Sequence, residues 1–87
     1  MLALFLMTLL AADKQVPDGV ITDQVRVKLA NDRDVGGMAI NVEVQQGAVT
    51  LTGKVRTEKQ RSQAEKLAKK VKGVTSVTNK LIISPDQ

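Results

Sequence analysis

The sequence predicts an α+β domain: a two-layer αββαβ sandwich in which two helices cover one face of a three-stranded mixed sheet. Three observations carry this fold. "INVEVQ" (40–45) alternates strictly between apolar and polar residues, and "AVTLTGKVR" (48–56) returns the same alternation after a glycine turn. On either side of this hairpin the apolar spacing becomes helical. Two helices can cover only one face of so small a sheet, which leaves the other face wet. Its expected residues, Asn41, Glu43, Thr50, Thr52 and Lys54, are all polar.

The elements follow in order. Asp18 is placed to cap a first helix running to about Asn31, with Ile21, Val25 and Leu29 at a spacing of four as its buried stripe. "NDRDVGG" (31–37) breaks that helix, and Gly36 and Gly37 give the backbone freedom before the hairpin. Ile40, Val42 and Val44 form the inner face of the first strand, and Gly47 supplies the positive φ of a tight turn. In the second strand Gly53 stands where a bulky inward side chain is due, between Leu51 and Val55. A glycine there sacrifices packing, and close approach of the second helix to the sheet would account for it. Thr57 and Gln60 make a capping box for that helix, whose apolar residues Ala64, Leu67, Ala68 and Val71 recur until Gly73 stops it. "VTSVTNKLIIS" (74–84), rich in β-branched residues and ended by Pro85, reads as the third strand.

At 87 residues the chain has room for one small core, and 43% hydrophobic with 25% charged residues is a globular balance. Residues 1–17 divide from it as an apolar leader and linker, 18–84 form the domain, and 85–87 are a short tail. The opening "MLALFLMTLLAA" is shorter than the ~20 residues needed to span a bilayer, but it matches the apolar stretch of a secretory signal, ending in Ala11 and Ala12. This predicts export to the periplasm. No Lys or Arg precedes the run and Leu10 occupies a place where a small residue is preferred, so the alternative is a short helix of Leu4, Phe5 and Leu9 covering the domain.

Absence of Cys and His removes thiol nucleophiles, imidazole bases, disulfides and the common transition-metal sites together, and with no Cys the chain has no acceptor for a lipoprotein-type lipid. Ser62, Ser76 and Ser84 have no histidine to activate them, and Asp32 with Asp34, or Asp23 with Glu43, has nothing nearby to raise a carboxylate pKa. No catalytic residue, metal or cofactor is expected. The net charge of +4 favours anionic surfaces. Nucleic acid is not the expected partner, because the chain lacks a GXXG loop and its single aromatic, Phe5, lies in the leader.

Two surfaces are candidates for contact. On the second helix Lys59, Lys66 and Lys70 fall on one stripe opposite Leu67, with Lys69 beside it and Glu65 placed to pair with Lys69. On the first, Val20 and Val27 share a stripe away from the buried one, flanked in sequence by Arg26 and Lys28.

Taken together, "ITDQVRVKL", "INVEVQQGAVTLTGKV" and "AEKLAKKVKGVTSVTNKL", with Gly47, Gly53, Gly73 and Asn79 at their spacings, resemble the BON domain family, named from bacterial osmotic-shock and nodulation proteins. The resemblance covers residues 18–84. It implies a non-catalytic bacterial envelope domain that binds phospholipid or mediates interactions in osmotic-stress proteins, secretins and channels. In relatives that bind lipid the first helix is implicated, which implies Arg26, Val27 and Lys28 as contacts. Some relatives bind potassium through oxygen ligands, which leave little trace in sequence. The expected role is an adaptor at an anionic phospholipid surface. The alternatives are a module that self-associates or joins an envelope complex through a sheet edge and the Val20/Val27 ridge, and a potassium-sensing domain.

Overall fold

The computed structural model describes residues 15–85, so the expectations for the apolar leader lie outside the described residues. The elements are α1 (Asp18–Ala30), β1 (Ala39–Gln45), β2 (Ala48–Val55), α2 (Glu58–Lys69), β3 (Ser76–Asn79) and β4 (Ile82–Ile83). The sheet order is β1-β2-β3, with β4 continuing the β3 side of β2. β1 pairs antiparallel with β2, while β3 and β4 pair parallel with it, so the sheet is mixed as expected. The predicted third strand is therefore two short segments. Between them the Asn79 side-chain oxygen accepts from the Leu81 N–H at 3.1 Å, which replaces ladder pairing at the break.

α1 buries Ile21, Val25 and Leu29 against the sheet, as their spacing dictates. Its start differs from expectation. Pro17 is the N-cap, and Asp18 makes no capping bond because it is already the first helical residue. The Asp18 carboxylate instead accepts from the N–H groups of Gln46 (2.8 Å) and Gly47 (3.1 Å) in the β1–β2 turn. Both turn residues have positive φ, +51° at Gln46 and +83° at Gly47. That is the two-residue turn whose twist suits a hairpin, and a non-glycine residue in it costs about 1–2 kcal/mol. Asp18 offsets part of this cost and fastens the helix to the hairpin.

Gly53 has a reason other than the one its position suggested. The β1–β2 register runs unbroken through it, opposite Ile40, and its φ is +123°. A Cβ there would meet the Ala39 carbonyl oxygen at 2.1 Å and the Ile40 Cα at 3.2 Å. The close neighbour is thus the backbone of β1, not a helix, and the backbone twist itself demands glycine.

α2 opens on the predicted capping box: the Thr57 hydroxyl accepts from Gln60 N–H at 3.1 Å, and the Gln60 side-chain oxygen accepts from Thr57 N–H at 3.3 Å. Its buried stripe is Ala64 and Ala68, small residues that bring the helix close to the sheet. α2 ends at Lys69, and tight turns through Lys70 and Val71 lead to Gly73, which lies beyond the helix rather than stopping it. A Cβ on Gly73 would meet Val16 at 2.7 Å and Ile21 at 3.1 Å, so that glycine lets the chain entering α1 lie against the exit of α2. The core closes over Ile21, Val25, Leu29, Val35, Val42, Val49, Leu51, Val55, Val71 and Leu81.

Candidate functional site

α2 runs back along α1. Near its start the Gln60 side-chain amide donates to the Asp34 carbonyl (2.8 Å), and Gln63 donates to the Asp32 carboxylate (3.0 Å). Past its end Gly73 approaches Ile21 at the beginning of α1. Between the helices, on the surface away from the sheet, an open groove of about 700 Å³ results. Its apolar floor is Val27, Leu67 and Val71, and its charged rim is Lys28, Lys70 and Lys72 with Asp23 and Asp32.

The groove joins residues that the sequence placed on separate surfaces. Val27 is 58% exposed, and Lys28 and Lys70 stand beside it. Leu67 is not opposite Lys70: both line this groove, while Lys59 and Lys66, also exposed, face solvent opposite Ala64 and Ala68. Leu67 is half-buried: it packs against the edge of the core and also lines the groove. Arg26 parts from its neighbours. At about 100° per residue it falls on the far flank of α1, beside Leu29, Met38 and Ile40 near β1. Val20 is 42% exposed, one heptad before Val27 on the outer stripe. Lys72 was not singled out from sequence, since it follows the helix end and no helical period positions it. Ile82 (61%) and Ile83 (39%) are likewise exposed, on the short β4.

Electrostatics favours the cations. Lys69 pairs with Glu65 at 3.0 Å and Arg61 with Glu58 at 3.2 Å, whereas Lys28, Lys70 and Lys72 make no ion pair among the described residues. Of the two carboxylates on the rim, Asp32 is already engaged. It accepts from Gln63, from Asp34 N–H (2.8 Å) and from Val35 N–H (3.2 Å), and these bonds, that from Gln63 foremost, hold its carboxyl below the ordinary range. Glu65 is also lowered, chiefly by the hydrogen bond from Lys69 and then by that from Asn79. Both shifts stabilise the ionised form. Neither makes a proton donor or a base poised near neutral pH.

The family model described as the BON domain matches residues 17–85. Over 64 residues the chain is 41% identical to the Escherichia coli (strain K12) protein named Osmotically-inducible protein Y, an alignment covering 74% of this chain and 32% of that protein. The chain thus spans about a third of the length of this relative.

Proposed function

The chain belongs to the BON domain family, and from that premise we propose that it is a non-catalytic domain of the bacterial cell envelope that docks on anionic phospholipid through the α1–α2 groove. The observation that carries this reading is the meeting of exposed Val27 and half-buried Leu67 with Lys28, Lys70 and Lys72, three cations without ion-pair partners among the described residues. An apolar strip rimmed by lysines suits a headgroup layer, where the side chains enter the acyl boundary and the ammonium groups meet phosphates. No helix among the described residues is long and apolar enough to cross a membrane, so lipid contact through them is peripheral.

Its strength follows from the same residues. Lysines near an anionic leaflet contribute about 1 kcal/mol each, and partial insertion of Val27 adds about another 1 kcal/mol. A total of about 4 kcal/mol corresponds to a dissociation constant on the order of millimolar, a weak and reversible attachment. The osmotic-stress setting is supported by the name of the Escherichia coli relative, and the periplasm by the signal-like opening of the sequence. The non-catalytic role is supported by the absence of Cys and His and by carboxyls shifted down rather than up.

Vesicle co-sedimentation of the 87-residue chain tests it. Phosphatidylglycerol-containing vesicles should pellet more protein than neutral ones, the difference should fade as salt rises, and Val27→Glu and Lys70→Glu should each reduce it. Binding to anionic vesicles that neither substitution weakens would refute the groove as the docking surface.

A further inference from the structure

The two edges of the sheet are built differently. The β3–β4 side is broken at Lys80 and Leu81 into segments of four and two residues and is closed by Pro85. Interruption, a lysine and a proline are the devices by which edges avoid pairing with other chains. β1 has none of them. It runs seven residues, Ala39–Gln45, in unbroken register with β2.

The direction of its free backbone groups follows from the other side of β2. The carbonyls of Leu51 and Val55 accept from Lys80 N–H (2.8 Å) and Ser84 N–H (2.7 Å), so the odd-numbered residues of β2 bond toward β3 and β4. The even-numbered ones bond toward β1, to Gln45, Glu43, Asn41 and Ala39. Ile40, Val42 and Val44 therefore point their N–H and C=O groups outward. The Ile40 N–H is taken up locally by the Met38 carbonyl at 3.1 Å, and no other element among the described residues pairs along this edge.

We propose that two copies of this chain pair antiparallel along β1 about a two-fold axis at Val42. The side chains suit a second copy in particular. With Val42 opposite Val42, Ile40 stands opposite Val44, Asn41 opposite Glu43 and Ala39 opposite Gln45, so the whole strand overlaps. On the helix-covered side Ile40 and Val44, each half-buried at the open edge, cover one another. On the polar side the Asn41 amide donates to the Glu43 carboxylate of the second copy, twice by symmetry, so no like charges stand directly opposite each other and the two Glu43 side chains lie only diagonally across the axis. Axes at Ile40 or Val44 shorten the overlap by running into the loop before β1 or the turn after it. The outward groups also match: Val42 N–H donates to Val42 C=O in both directions, and Val44 N–H donates to Ile40 C=O. The product is one continuous sheet with all four helices on the same face, which turns both α1–α2 grooves to the same side. The pairing itself stands independently of what those grooves bind.

The test combines sedimentation equilibrium with amide hydrogen exchange of the 87-residue chain over a range of concentrations reaching millimolar. Dimers should form, and the amides of Val42 and Val44 should become protected as they do. Asn41 and Glu43 are exposed, so their substitution spares the core. Asn41→Glu sets two like-charge pairs across the axis and should weaken dimerisation on the order of tenfold, while N41E/E43K restores opposite charges and dimerisation. A monomer at every concentration overturns the proposal. So does self-association in which the Val42 and Val44 amides exchange equally at low and high concentration, or in which N41E has no effect.

Discussion

The two helices sit side by side on the same face of the sheet but are held there by different means. α1 has no side-chain cap and relies on Ile21, Val25 and Leu29, three large side chains sunk into the core. α2 buries only Ala64 and Ala68 within its span and is held by polar ties: the Thr57–Gln60 box, Gln60 to the Asp34 carbonyl, Gln63 to Asp32, and the Asn79 amide to the Arg61 carbonyl (2.9 Å) and Glu65 (3.2 Å). The difference bears on function. A helix attached by its inner stripe, with a single polar tie at its first residue Asp18, is free to present an unrelated outer stripe, and α1 uses that freedom to expose Val20 and Val27. A helix tied down by its polar side chains has fewer of them to offer: Lys69 is paired, Lys59 and Lys66 face solvent, and the cations that rim the groove from this side are Lys70 and Lys72, just past the end of α2.

Substitutions sharpen or break this contrast. Ile21→Ala should have the largest effect, about 3 kcal/mol in denaturant unfolding, because it opens a cavity beneath α1 at a fully buried site. Asn79→Ala should cost about 1.5 kcal/mol, since it leaves the Arg61 carbonyl and the Leu81 N–H without their side-chain partner. If Asn79→Ala proved as costly as Ile21→Ala, polar ties would dominate the whole domain and the contrast would fail.

Acid should loosen the ties of α2 made by Glu65 and Asp32. The carboxyls of Glu65 and Asp32 are lowered in the folded chain, so their contribution is fully present above the ordinary carboxylate range and is lost as pH falls below about 4.5 through the folded values. Asn79→Ala removes one cause of the Glu65 shift, so the variant's stability should fall less steeply with acid than that of the wild type, as read by thermal unfolding across pH. Smallest of all should be Val27→Glu, within about 0.5 kcal/mol of wild-type stability because the side chain projects outward. A large loss there would mean that Val27 belongs to the core rather than to a docking surface.

Elements that depend on short-range periodicity were legible in the sequence. The hairpin, the capping box, the buried stripe of α1, and Ala64 and Ala68 of α2 stand where alternation, Thr57/Gln60 and the helical period put them, while Leu67, expected in the same stripe, is half-buried on the groove. What escaped depends on contacts between segments far apart in the chain. Asp18 reads as a cap from its neighbours, yet its carboxylate bonds to a turn 28 and 29 residues away. Gly53 announces that something must come close, but only the strand register identifies it as the Ala39 carbonyl. Arg26 and Lys28 look like one basic pair until the helix turns them to opposite flanks. The groove itself needs the two helices placed side by side, and no pattern within either one encodes that.

Amide chemical-shift mapping of the 87-residue chain against phosphatidylglycerol-containing and neutral bicelles tests the docking surface most directly. Val27, Lys28, Leu67 and Lys70 should shift with the anionic bicelles alone, while Arg26 and the β3–β4 side stay still. Shifts centred on β3 and β4, or the same pattern with neutral lipid, would contradict docking through the groove between the helices.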